Sequence, residues 1–293
     1  MRTLLFTPGN NWRMIQKARQ LAADAVILDL EDAVPMAEKE TARIFVRDGI
    51  PLIKAGGLQA FVRVNSLTTG LTQQDLESSV QGDLDGIVLP KAESKEDITE
   101  VEGSIEGLER ERDLPLGSVA IVPLLETARG VVNVDEIILA SERVISVCFG
   151  AMDFTRDMGT SLSRDGWEIF FARSKIALVA NAYNVQAIDT PWFDLADEEG
   201  LVNDAGLARR LGYRGKLLIH PDQIEAVNEI FSPSAEEIGY AEKVVEAFRE
   251  AEARGLGATA LDGKMIDLAT FRQAEDLLRY AEAIAEKERG RTT

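Results

Sequence analysis

Apolar residues along this chain arrive in short dense runs, and the stretches between the runs repeat with the spacing of helices. The runs are rich in β-branched residues: TLLFTPG (3–9), AVILDLEDA (25–33), AFVRVNS (60–66), GIVLPKAE (86–93), AIVPLLET (120–127), VISVCFGAMD (144–153), VQAIDT (185–190) and KLLIHP (216–221). Segments such as NWRMIQKARQLAAD and SRDGWEIFFARSKIALVANAYN have helical periodicity and fill the intervals. Strand and helix alternate eight times, which predicts an α/β fold, a (β/α)8 TIM barrel with a parallel sheet, over residues 1–232. A doubly wound open sheet fits less well: polar residues cluster after nearly every strand, and no G-x-G-x-x-G follows the first. Residues 233–293 exceed what a barrel needs. They predict a C-terminal helical extension, with one helix near 234–254, a glycine-containing break (GLGATALDGKMID) and a last helix over 271–288. Such an extension serves as a lid or as an arm to a neighbouring subunit, and the final ERGRTT is expected to fray.

Active sites of parallel barrels are built at the carboxyl ends of the strands. Those ends offer Pro8-Gly9-Asn10, Glu31 with Asp32, Arg63 with Asn65, Lys91, Glu126, Asp153, Asp189 and His220. Charged residues there are costly to desolvate, so they should pair with one another or hold a metal. Two consecutive runs end on Glu126 and Asp153, hard oxygen donors, and the chain has only one histidine with which to build a zinc or iron site. Two carboxylates completed by water and substrate oxygens describe Mg²⁺, with Mn²⁺ as a possible substitute. The plain alternative is that each acid caps the helix after its strand. Arg63 is the natural anion clamp, its fork matching a carboxylate bidentately. The backbone amides of Gly150, Ala151 and Met152 offer a seat for the other end of a small oxoacid. Lys91 is either a Schiff-base lysine or an ion-pair partner of Glu31 or Asp32. His220 is a base or a structural hydrogen-bonding residue, and no G-x-S-x-G elbow supplies a serine for a triad.

Composition narrows the partners. The 293 residues carry 32 basic and 50 acidic side chains, a net charge of -18, which disfavours nucleic acid and anionic membranes. An anionic substrate therefore depends on local basic residues. The lone Cys148 lies in an apolar run, so disulfides within the chain are excluded and a buried thiol is expected. Neither a secretory pattern nor a bilayer-length apolar run is present, which predicts a soluble cytoplasmic protein.

The segments TPGNNWRMIQKA, DAVILDLEDAV, FVRVNSLTTGL, GIVLPKAES, LLETARGVVN, FGAMDFTRDMG, QAIDTPWFDLADEEGL, GYRGKLLIHPDQI, FSPSAEE and DGKMID occur in one order from Leu4 to about Gln273. Together they resemble the citrate lyase β-subunit-like members of the HpcH/HpaI aldolase superfamily, and RVNSLTTGLTQQDLE is similar to the citramalyl-CoA lyase branch. The resemblance implies a TIM barrel in which Glu126 and Asp153 coordinate Mg²⁺. Arg63 would contact the oxoacid and thioester oxygens, and Glu31 and Asp32 would lie beside the metal's waters. It further implies that Asp267 acts as acid/base in a neighbouring subunit's site, hence a homotrimer or hexamer, and that Arg13 and Lys17 lie near the CoA phosphates. The implied reaction is a Claisen-type carbon–carbon cleavage of a 3-hydroxyacyl-CoA, such as citramalyl-CoA or malyl-CoA, to acetyl-CoA plus pyruvate or glyoxylate. Within the same fold, citryl-acyl-carrier-protein lyase and malyl-CoA thioesterase activities remain open. A catalytically silent ligand-binding or scaffold subunit is the reading from another class.

Overall fold

The computed structural model describes residues 1–291, which divide into two compact units, one over Met1–Asn228 and one from Glu229 onward. The first holds strands β1 (Thr3–Pro8), β2 (Ala25–Asp29), β3 (Gln59–Arg63), β4 (Gly86–Pro90), β5 (Ala120–Leu125), β6 (Ser146–Phe149), β7 (Gln186–Asp189) and β8 (Gly215–Leu218). They pair in sequence order, all parallel, and β8 closes on β1 through Leu4↔Leu217, giving the eight-stranded barrel. The helices between them are α1 (Trp12–Ala18), α2 (Lys39–Ala55), α3 (Thr72–Ser79), α4 (Lys95–Glu111), α5 (Ala128–Val132), α6 (Val134–Leu139), α7 (Ala151–Asp157), α8 (Trp167–Ala182) and α9 (Glu198–Leu211).

Alternate residues of each strand enter the barrel. Leu4, Ile27, Phe61, Val88, Val122, Leu124, Cys148, Ile188 and Leu217 fill the interior, so it is packed rather than open. Phe61 is accommodated because Gly86, on the neighbouring strand, has no side chain: a Cβ there would stand 2.9 Å from the phenyl ring and 2.9 Å from the Ala120 carbonyl. Cys148 is fully buried as expected, and burial pushes its thiol well above the usual range, which leaves it inert. Among the described residues no helix is long and apolar enough to cross a membrane.

The chain continues with α10 (Ile224–Phe231), at whose Asn228–Glu229 step the two units part. The second unit contains α11 (Ala235–Ala253), β9 (Thr259–Leu261), β10 (Lys264–Ile266) and α12 (Leu268–Arg291). The glycine-containing break is thus an antiparallel hairpin. Its two-residue turn is Asp262-Gly263, with φ of 49° and 77°, the combination that suits the right-handed twist of paired strands. The helix α12 starts earlier than the pattern predicts because Asp267, directly after the hairpin, caps it. It runs through Arg291; Thr292 and Thr293, the end of the stretch expected to fray, lie outside the described residues. The unit has its own small core, in which Phe248 stacks on Phe271 at 4.7 Å beside Val244 and Ile266.

Candidate active site

The β5–β6 register sets Leu125 opposite Phe149, so the next residues, Glu126 and Gly150, meet at the barrel mouth. Glu126 is 3% exposed and does not cap the following helix: Thr127 does, its side chain accepting from the Gly130 N–H. That disposes of the capping alternative for Glu126. The Glu126 carboxylate instead turns inward over Gly150, where a Cβ would stand 2.5 Å from its Cγ and 2.8 Å from its Oε1. Only glycine leaves that room. Gly150→Ala must therefore displace the carboxylate, and a displacement near an ångström at a reacting centre costs about a hundredfold in rate. The expected result is a folded protein with kcat down by at least tenfold, read beside the melting temperature; a variant with full activity would show that the carboxylate's placement is immaterial.

Lys91 reaches Glu126 from the end of β4. Its backbone is left-handed, φ 53°, a conformation that a lysine adopts at a cost, and it aims the Lys91 N–H at Glu126 Oε2, 3.1 Å away. The Lys91 ammonium donates to Glu31 Oε1 at 2.5 Å and stands 3.9 Å from Glu126 Oε2, so of its two sequence readings the structure supplies the ion pair. Glu31 is also 3.1 Å from Arg63 Nη1, yet its Oε2 accepts no hydrogen bond although buried. Asp32 is more open, with 60% of its side chain exposed, 3.9 Å from Arg63. Asp153 lies in the first turn of α7 and pairs with Arg156 at 2.7 Å.

Asp29, Asp32, Arg63, Glu126, Gly150 and Asp153 line one cavity of about 400 Å³ at the mouth, walled on its apolar side by Phe6, Leu124 and Phe193. Burial, with Glu31 and Asp153 close by, pushes the Glu126 carboxyl up to about 8 despite Lys91 and Arg63. Acids outnumber bases around the buried Glu126, which favours a bound cation or a shared proton. Among the described residues no three His, Cys, Asp or Glu side chains form a ready metal cage. Any metal here would take two carboxylates and draw its other ligands from water or substrate, as the hard oxygen donors allow.

Two expectations need correction. The Nε–Nη2 side of Arg63 is not open to a substrate carboxylate, because Asp29 already fills it: Nε donates to Oδ1 at 2.7 Å and Nη2 to Oδ2 at 2.6 Å, which leaves the Nη1 edge. Of the three backbone amides offered to an oxoacid, Gly150 spends its N–H on the Leu125 carbonyl at 2.9 Å and Ala151 on Thr190 Oγ1 at 3.0 Å, which leaves Met152. Asp189 also stays away from the mouth. It is fully buried between the barrel and its helices, bonded to Arg173 and Lys216. His220 accepts the Asp222 N–H at its Nδ1 and does not line the mouth cavity.

Arg13 and Lys17 are exposed, one turn apart on α1, and neither lines the mouth cavity. In the second unit Asp267 caps α12, its Oδ1 accepting from the Thr270 N–H and hydroxyl at 2.9 Å each, and these bonds hold its carboxyl below the ordinary aspartate value. Asp29 and Lys39 escaped the sequence reading. Lys39 donates to the Leu30 and Glu31 carbonyls and to Asn65 Oδ1, securing the loop after β2. Asp29 carried a signal, as a third acid inside an apolar run whose charge must be paired, whereas Lys39 lies in the polar stretch AEKE and carried none.

Comparison with known proteins gives a consistent picture. The family described as HpcH/HpaI aldolase/citrate lyase matches residues 2–221. The citrate lyase subunit beta of Leuconostoc mesenteroides subsp. cremoris is 38% identical over 282 residues, 96% of this chain and 93% of that protein. The mitochondrial citramalyl-CoA lyase of Homo sapiens is 34% identical over 300 residues, 98% of this chain and 87% of that one. Among solved structures, the protein CitE from Mycobacterium tuberculosis, in complex with magnesium, acetoacetate and coenzyme A, superposes with a TM-score of 0.78 at 33% identity, covering 96% of this chain and 98% of the other.

Proposed function

The chain belongs to the HpcH/HpaI aldolase/citrate lyase family and is a carbon–carbon lyase; from that premise we propose that it cleaves a 3-hydroxyacyl-CoA, such as citramalyl-CoA or malyl-CoA, in a Mg²⁺-dependent Claisen-type reaction. The products are acetyl-CoA and pyruvate or glyoxylate. The observation that supports it best is the mouth cavity, which Glu126, Asp153 and Arg63 line together, with the buried Glu31 carboxylate 3.1 Å from Arg63 behind them. Those oxygens suit Mg²⁺, which Glu126 and Asp153 would hold while Glu31 and Asp32 would accept from its waters; Mn²⁺ would satisfy the same donors. When bound, the ion supplies a Lewis acid for the hydroxyl and carboxylate oxygens of the acyl group.

The chain's own side chains carry the rest. Asp267 of a neighbouring copy takes the substrate hydroxyl's proton, the bond between the hydroxyl-bearing carbon and the thioester's α-carbon breaks, and its electron pair moves onto the thioester. Arg63 faces the negative charge that develops on the thioester oxygen until the α-carbon is protonated. Phe6, Leu124 and Phe193 wall the apolar side of the site, and the lower polarity there strengthens that attraction. Arg13 and Lys17 offer exposed positive charge for the CoA phosphates. Residues 233–293 act as the arm that presents Asp267, which makes a closed trimer or hexamer the working unit.

The test is purified protein with Mg²⁺ and a panel of thioesters, each product identified. Release of an oxoacid with acetyl-CoA is expected from citramalyl-CoA or malyl-CoA. Free CoA without oxoacid means a thioesterase, and activity only with carrier-protein partners means a citrate lyase subunit. Binding without any turnover would leave a ligand-binding subunit and sink the lyase reading.

A further inference from the structure

The Arg63 guanidinium is held on three sides. Asp29 takes Nε and Nη2 in two short parallel hydrogen bonds, Phe6 lies under its face at 4.7 Å, and Glu31 stands 3.1 Å from Nη1. Asp29 is itself immobile: it is 1% exposed at the end of β2, and its two oxygens also accept from the Glu31 and Ala33 N–H groups at 2.9 and 3.2 Å. The two residues face each other because β2 and β3 are in register there, Asp29↔Arg63. A bidentate carboxylate fixes both the plane and the rotation of a guanidinium, whereas a single ion-pair contact fixes neither.

We infer that Asp29 is a positioning residue, which turns Arg63 so that its Nη1 edge, rather than its fork, faces the reacting oxygens in the mouth cavity. The inference rests on the reading that Arg63 touches substrate. It changes what Arg63 does: the arginine meets its anion through one edge, at an angle dictated by a carboxylate that never touches the substrate. A guanidinium displaced or rotated by an ångström still carries its charge into the cavity, so binding survives better than turnover.

The experiment uses Asp29→Asn, which loses the second acceptor, and Asp29→Glu, which keeps the charge but moves it by one methylene and so protects the test should the neutral variant fail to fold. Both are compared with Arg63→Lys and with the Asp29→Asn/Arg63→Lys pair, reading kcat, KM and melting temperature with the thioester that the wild-type protein cleaves. Positioning predicts that each Asp29 variant loses kcat at least tenfold with KM changed less than threefold. It also predicts that Asp29→Asn costs less than threefold once lysine replaces Arg63, because there is no longer a fork to orient. Folded Asp29 variants that keep kcat within threefold of wild type, or a full tenfold loss persisting in the Arg63→Lys background, would overturn it. Arg63→Lys with unchanged kcat and KM would instead remove Arg63 from the chemistry, a failure of the underlying reading that the same data separate from the first.

Discussion

Glu126→Gln is expected to lower turnover roughly a thousandfold or more while leaving the barrel at least as stable as before. The first half follows from what a divalent ion contributes. Several kcal/mol of charge stabilisation at about 1.4 kcal/mol per tenfold amounts to three or more orders of magnitude, and an amide is a poor substitute for a hard anionic ligand. The second half follows from the apo electrostatics. Glu126 sits 3% exposed among Glu31 and Asp153, and without a cation its charge is disfavoured. The glutamine carbonyl can still accept the Lys91 N–H that now reaches Oε2 at 3.1 Å, so the left-handed turn after β4 keeps its partner. Relieving crowded charge at a functional site commonly raises stability as it removes function. Melting curves with and without Mg²⁺ complete the measurement: Mg²⁺ should stabilise the wild-type protein and not the variant. A variant that keeps more than a tenth of wild-type activity at the same Mg²⁺ concentration would take Glu126 out of the site.

The same residues show how far a sequence can be read. Glu126, Arg63, Lys91 and Glu31 were legible because each is a charge where an apolar strand ends, and a parallel barrel has one place for such ends. What the linear pattern does not carry is which charge takes which partner. The sequence offers Arg63 to a substrate carboxylate, but β2–β3 register gives its Nε–Nη2 side to Asp29, a partner 34 residues away in the chain. Asp189 stands at a strand end like the others, yet Ile188 before it fills the barrel interior, so the alternation of the strand turns Asp189 outward to Arg173 on α8 and Lys216 on β8. The amides of Gly150 and Ala151 were offered to a ligand although β5 and Thr190 claim them, because hydrogen bonds between neighbouring strands leave no trace in composition. In the second unit the Asp262-Gly263 dipeptide signals a tight hairpin turn, but the strands it joins are only three residues each and leave no alternating pattern to mark them.

Two inactive variants, Glu126→Gln and Asp267→Asn, are expected to restore activity when reassembled together. Asp267 precedes α12 and caps it through Oδ1, and asparagine caps a helix as well as aspartate does. The substitution therefore leaves the start of α12 intact and removes only the group proposed to accept the hydroxyl proton, at a cost of about 10² to 10⁴ in rate. If that group serves a neighbouring copy, a mixed oligomer contains some mouths with an intact Glu126 from one chain and an intact Asp267 from another. Random reassembly of equal amounts in a closed ring supplies about a quarter of the mouths with both. Co-refolded or co-expressed variants should accordingly reach about a quarter of the wild-type rate, far above either parent, with a size matching the wild-type oligomer. Were Asp267 to serve the mouth of its own chain, every site in the mixture would lack one of the two residues and the rate would stay at the level of the parents. A monomeric protein with full activity would exclude the arrangement outright, because no second chain would then be present to lend the proton acceptor.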